Sequence, residues 1–64
     1  MILDGGKINL ALARATKSPV ELARDAKIDL STLTRIRNGQ NARQKTVGKI
    51  ARALGVDVTE LLKD

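Results

Sequence analysis

A chain of 64 residues buries only about 60% of the surface its unfolded form exposes. It is expected to be one domain, 1–64, without room for a catalytic core beside a substrate domain. Cys, His, Phe, Tyr and Trp are all absent, which excludes disulfides, Cys/His zinc sites and the aromatic platforms on which single-strand binders stack bases. Twelve Lys+Arg against seven Asp+Glu leave a net charge of +5 and a pI near 10.3, an excess that points to a polyanionic partner.

Other classes fall away on the same grounds. No apolar run approaches the ~18 residues of a membrane span, and the N-terminus lacks the basic and apolar regions of a signal peptide. Acid–base chemistry would rest on carboxylates and lysines alone, and no two carboxylates are set up as a pair. Ser18 and Ser31 have no visible base to activate them. Neither an enzyme activity nor a cofactor, metal or small-molecule ligand is expected.

Helix punctuation is legible along the chain. Asp4 is placed to cap a first helix through about Ala15, with Ile8, Ala11, Leu12 and Ala15 inward. Gly5 and Gly6 make its first turn prone to fraying. Ser18 caps a second helix, with Pro19 at its first position and Glu21 completing a capping box. Leu22, Ala23 and Ala26 face inward, and the helix stops at Lys27-Ile28.

Asp29 begins a third helix, Leu30 to Asn38, which Gly39 ends. Ile28 and Leu33 are spaced as a hydrophobic staple, and Leu33 and Ile36 point inward. Ser31, Arg35 and Asn38 fall at i, i+4, i+7 on the opposite face, with Leu30 and Thr34 alongside. After a polar loop, 40–43, a fourth helix runs from about Gln44 to Leu54, with Val47, Ile50, Ala51 and Leu54 inward and Gly55 as its stop. Gly48 costs this helix ~1 kcal/mol relative to Ala, and close approach of a neighbouring helix is the expected reason. Asp57 and Glu60 form a second capping box, stapled by Val56 and Leu61, for a last short helix from Val58 to about Leu62. The reading is all-α, five short helices, with neither β-alternation nor repeats.

Charge is unevenly placed. No acidic residue occurs from Leu30 through Val56, whereas Arg35, Arg37, Arg43, Lys45, Lys49 and Arg52 all do. A merely solvated face mixes signs; this one does not. The third helix, its loop and the fourth helix therefore form one electropositive unit. Asp25 stands apart from the capping carboxylates, among Arg24, Lys27 and Lys17.

The run Ser18-Pro19-Val20-Glu21-Leu22-Ala23, then Ile28-Asp29-Leu30-Ser31-Thr32-Leu33-Thr34-Arg35-Ile36 and Asn38-Gly39, resembles the phage lambda repressor/Cro-like (XRE) helix-turn-helix family. The tail Ile50-Ala51-Arg52-Ala53-Leu54-Gly55-Val56 leading to Glu60-Leu61-Leu62 is similar to that family's fourth and fifth helices. The resemblance covers roughly residues 7 to 62, with the helix-turn-helix proper at about 18–38. It implies a compact five-helix lambda repressor-like domain that binds double-stranded DNA and regulates transcription, as a repressor, with the third helix in the major groove.

Carried over by position, base reading falls on Leu30, Ser31 and Arg35. Arg35 suits guanine O6 and N7, Leu30 only a thymine methyl, and Ser31 discriminates weakly. Phosphate contacts fall on Asn41, Arg43 and Lys45, with Thr34, Asn38 and Gln40 beside them, and Lys17 and Val20 from the other side. The N–H groups of Val20 and Glu21 at a helix start are suited to an anion. The resemblance further implies a homodimer on a palindromic operator, in the cytoplasm of a bacterium or encoded by a phage; the apolar Val58 and Leu62 of the last short helix are candidates for the dimer contact or, equally, for packing within the monomer.

Three departures from the family pattern stand out. Pro19 replaces the Gln often found at the start of the second helix. Lys27 stands where the turn usually holds Gly, and would need a left-handed backbone at ~1–2 kcal/mol or a different turn. Leu12 and Arg37 occupy the positions of an Arg–Glu pair, which leaves Arg37 free to face solvent or a phosphate. A different class of function is also compatible with the residues: a protein-interaction module of the antitoxin type, whose basic face meets an acidic protein. Salt separates the two, because duplex binding weakens steeply with ionic strength. A membrane-surface helix is a poor fit, since no helix is long or carries an aromatic anchor.

Overall fold

The computed structural model describes residues 1–64, which form four α-helices and a closing 3-10 turn. Helix α1 spans Gly5–Ala15, α2 Pro19–Ala26, α3 Leu30–Arg37 and α4 Gln44–Leu54, and the turn covers Val58–Glu60. The start signals act largely as their chemistry requires. The Asp4 carboxylate accepts the Lys7 N–H at 3.0 Å. Ser18 Oγ accepts the Glu21 N–H at 3.2 Å while the Glu21 carboxylate accepts the Ser18 N–H at 3.0 Å. The backbone N–H and then the side chain of Ser18 hold the Glu21 carboxyl below its ordinary range, and Thr59 does the same for Asp57. Asp29 differs: it is extended, but its carboxylate bonds to no N–H of α3. That start rests instead on apolar packing, with Ile28 against the core that Leu33 joins.

The ends of the helices carry the strain. Thr16 (φ 55°) and Lys27 (φ 57°) are both left-handed. Of the two conformations open to Lys27, the left-handed one is adopted, and its N–H reaches the Arg24 carbonyl at 3.1 Å while that of Ile28 reaches Ala23 at 3.0 Å. These bonds satisfy carbonyls that the helix end would leave bare.

The expected fifth helix is shortened to a single 3-10 turn, so the fold has four α-helices rather than five. The cause lies at the other end of the chain. Leu3 and Leu62 form an isolated antiparallel bridge. The Asp4 N–H donates to the Leu61 carbonyl at 2.8 Å, and the Lys63 N–H donates to the Ile2 carbonyl at 3.1 Å. Backbone groups that would continue the helix are thus paired with the N-terminal segment. The same segment reaches the loop before α4, where the Ala42 N–H donates to the Met1 carbonyl at 2.7 Å. Burying the Leu3 side chain contributes ~1.5–3 kcal/mol, less than the ~4–8 kcal/mol needed to order the four residues Met1 through Asp4. The backbone bonds at both ends of this segment help offset the difference.

Fifteen buried residues make one core, all aliphatic, with no polar side chain among them. Ile8, Leu22, Leu33, Val47, Ile50 and Leu61 are sealed from solvent. Leu3 and Ala42 join them from outside the helices, and Ala15 is only partly buried. No helix is long and apolar enough to cross a membrane.

Two glycines exchange the roles their positions imply. Gly5 does more than loosen α1: a Cβ there would overlap the carbonyl oxygen of Arg37, so the start of α1 rests directly on the end of α3. Gly48 has no such neighbour, since a Cβ there meets nothing within 4 Å. The expected close approach of another helix is absent.

Gly5→Ala is therefore expected to destabilise the protein by ~1–3 kcal/mol despite alanine's better helix propensity, because backbone must move. A thermal midpoint equal to or above the parent's would show that the contact yields easily. Replacing Thr16 or Lys27 by Gly should raise the unfolding free energy by ~1 kcal/mol. The gain should be larger at β-branched Thr16, where positive φ is more strained. Denaturant melts of the two variants check both the sign and the order.

Candidate nucleic-acid interface

The α2–α3 corner sets the candidate interface. Leu22, Ala23 and Ala26 of α2 and Leu33 and Ile36 of α3 are buried in the common core. The turn at Lys27 joins the two helices with only Ile28 and Asp29 to spare. With Leu33 and Ile36 inward, the helical repeat turns Leu30, Ser31, Thr34, Arg35 and Asn38 outward, and all five are exposed. Leu30, at 45% exposure, is an apolar residue held in solvent at the first turn. The Thr34 hydroxyl donates to the Leu30 carbonyl at 2.9 Å, which leaves its oxygen able to accept.

The candidate contacts divide into separate groups. Arg35, Gln40, Asn41 and Arg43 line one shallow cleft between α3 and the following loop, together with Thr32 and Thr46. Thr34 and Asn38 lie on the other flank of α3, in a polar cleft with Asn9 and Arg37. Lys45 belongs to neither. It stands on the outer face of α4 beside Lys49 and Arg52. The loop that carries Asn41 and Arg43 is anchored, because the Met1 amine bonds to the Asn41 side chain and, at 2.8 Å, to the Ala42 carbonyl.

Three local expectations change. Arg37 is not free: its Nη2 donates to Asn9 Oδ1 at 2.7 Å, and its Nε is buried without a partner. With Leu12 in place of a charged residue, the guanidinium turns to the nearest acceptor on α1. The Glu21 N–H is not open to an anion, because Ser18 Oγ already occupies it; at that helix start only the exposed Val20 is left of the two. Lys17 is turned inward, its Nζ 2.6 Å from the Ala53 carbonyl and 3.1 Å from an Asp25 carboxylate oxygen. Val58 and Leu62 are both half-buried against the protein's own core.

The ion pairs sort by region. All four cations that pair with a carboxylate lie in α1, α2 or the link between them: Lys7 with Asp64, Arg14 with Glu60, and Lys17 and Arg24 with Asp25. None of the six basic residues from Leu30 through Val56 forms an ion pair. Their charge faces solvent uncompensated, apart from the hydrogen bond of Arg37. Lys49 and Arg52 had no role assigned from sequence, although with Lys45 they repeat the i, i+4, i+7 spacing that marked the outer face of α3.

Comparison with known proteins agrees with this architecture. One solved structure, "Phpd with cadmium complexed with hydroethylphosphonate (HEP)", matches with a TM-score of 0.84 at 22% identity. It is covered over 100% of this chain but only 14% of its own, so the likeness concerns the fold of a small part of that protein. No curated protein sequence matches the chain. A helix-turn-helix family model matches residues 10–61, taking in everything from the middle of α1 to the closing turn. The chain therefore belongs to the lambda repressor-like, XRE-family helix-turn-helix proteins, a family of DNA-binding regulators.

Proposed function

We propose that this protein binds duplex DNA sequence-specifically and represses transcription, with α3 in the major groove. The observation that carries the reading is the set of cations on α3, its loop and α4 that no carboxylate neutralises, arranged around an outward face of α3 with no other partner. A duplex supplies a dense line of phosphates, and binding releases the counterions those cations otherwise hold.

In this reading Arg35 pairs with guanine O6 and N7, Ser31 makes a weaker polar contact, and Leu30 packs on a thymine methyl. Asn41, Arg43 and Lys45 hold the phosphates on one side, supported by Thr34, Asn38 and Gln40. Val20 meets a phosphate from the start of α2. Lys17 would have to leave Asp25 and Ala53 to do the same. Two copies act as a homodimer on a palindromic operator in the cytoplasm, with half-sites ~34 Å apart. What remains exposed of Val58 and Leu62 is the apolar surface for that contact.

The test is selection of bound duplexes from a random library, followed by titration of variants against salt. Arg35→Ala is expected to weaken specific binding by ~1–3 kcal/mol and to relax preference at one base pair; an unchanged preference removes Arg35 from base reading. Arg43→Ala or Lys45→Ala should weaken binding to all sequences alike and flatten the salt dependence by about one ion. A loss confined to certain sequences would contradict a backbone role. Failure to enrich any duplex would favour the protein-interaction reading instead.

A further inference from the structure

Among the basic residues from Leu30 through Val56, Arg37 is the one whose side chain is tied into the fold. It is half-buried at the end of α3, and its backbone carbonyl rests on Gly5 of α1. Of the guanidinium's N–H groups only one, on Nη2, has a partner within the protein, Asn9 Oδ1 at 2.7 Å. Nε is buried with none. No carboxylate pairs with this cation, and Asp4, before α1, gives its carboxylate to the Lys7 N–H. A cation drawn partly out of water, with neither a counter-charge nor a full set of acceptors, is costly to the free protein. An anion at the guanidinium would relieve that cost.

The surroundings suit one. Arg37 lines a polar cleft with Gly5, Gly6, Asn9, Thr34 and Asn38, none of them acidic. Since Asn9 Oδ1 accepts from Arg37, the amide nitrogen of the same side chain is left to donate. The cleft also opens on the side that α3 presents. Thr34 and Asn38, which line it, are exposed on the outward face with Ser31 and Arg35. The cleft shared by Arg35 and Arg43 runs along the other flank of the same helix. A helix lying in the major groove has a sugar-phosphate backbone along each flank.

We propose that Arg37, held in place by Asn9, grips a phosphate of the bound duplex on the flank of α3 away from the loop. The inference rests on the DNA-binding reading above and adds to it a contact on a second flank. The edge of the guanidinium that Asn9 leaves open, Nη1 and the remaining N–H of Nη2, matches two oxygens of a phosphate. Because Asn9 already fixes the group, little side-chain freedom is left to lose on binding.

The experiment replaces the phosphates of the selected site, one at a time, by neutral methylphosphonates and measures the parent and two variants on each duplex. Arg37→Gln keeps a donor for Asn9 but no charge. Asn9→Asp keeps the guanidinium in place and neutralises it. Each variant should bind all sequences about tenfold more weakly and flatten the salt dependence by about one ion. Both should become insensitive to methylphosphonate at the same position, distinct from the one at which Arg43→Ala does so. Asn9→Asp should also raise the thermal midpoint, because a charge-assisted bond replaces a neutral one, and a loss of binding in a stabilised protein cannot come from misfolding. An Asn9→Asp protein that binds like the parent would leave Arg37 a purely structural role and overturn the proposal. Coupling to no single phosphate, or to the phosphate of Arg43, would overturn it equally while leaving DNA binding intact. A parent protein that binds no duplex would overturn both readings.

Discussion

The fold depends on how abruptly each helix ends. None of the four exceeds eleven residues, so none is stable alone, and each must turn its apolar stripe onto a shared core. A left-handed residue follows every one: Thr16 after α1, Lys27 after α2, Gly39 just past α3 and Gly55 after α4. These positions turn the chain into the next element within three residues after α1, α2 and α4 and within six after α3, and the bonds made there satisfy the last carbonyls. The strain at Thr16 and Lys27 is the corollary. With neither aromatic mass nor a cross-link, an aliphatic core of fifteen residues can be closed only if each helix arrives at a defined angle. Glycine is absent from two of the four corners that would most easily accept it.

Charge is partitioned along the same lines. The capping carboxylates do local work at helix starts, and the remaining carboxylate interactions fall on α1, on α2 and at the C-terminus. Lys17, bridging Asp25 and the last turn of α4 through the Ala53 carbonyl, helps tie the scaffold together. Ion pairing therefore serves the half of the molecule that positions α3. The half that presents α3 keeps its cations free, and the same sequence segregation that removes acid from 30–56 produces both effects. An exposed ion pair contributes little to stability. Leaving the basic face unpaired accordingly costs the fold little and preserves its whole field for a ligand.

Local chemistry was legible in the sequence and long-range chemistry was not. Capping boxes at Ser18/Glu21 and Asp57/Glu60 depend on residues three apart, and both formed as spaced. The inward and outward faces of α3 follow from the helical repeat alone. The bridge between Leu3 and Leu62 joins the two ends of the chain, and no periodicity signals it; it shortens the last helix to a 3-10 turn and brings Leu3 into the core. Gly5 and Gly48 show the same limit within a single residue type. The sequence puts one of these glycines in α1 and the other in α4, but only the neighbours reveal that the first is pressed against Arg37 and the second faces open space. Arg37 was misplaced for a related reason. The loss of its expected partner at position 12 was visible, and the substitute acceptor on Asn9 was not.

The N-terminal segment bears on function as well as on stability. It is bonded at one end to residues 61–63 and at the other to Asn41 and Ala42, and so it spans from the closing turn to the loop that carries Arg43. Loops that contact a ligand lose conformational freedom on binding, and each ordered side chain or segment subtracts from affinity. Here much of that ordering is already done in the free protein, because Ala42 is buried and both its backbone groups bond to Met1. Arg43 and α4 consequently start from a fixed platform, and the distance from Arg35 across the cleft to Arg43 is set by the core rather than by the ligand. The contact between Gly5 and the Arg37 carbonyl holds the C-terminal end of α3 itself in the same way. The C-terminal end of α3 and the loop that follows it are thus both held by chain outside the helix-turn-helix itself, and through them residues before α1 bear on the proposed contacts to DNA.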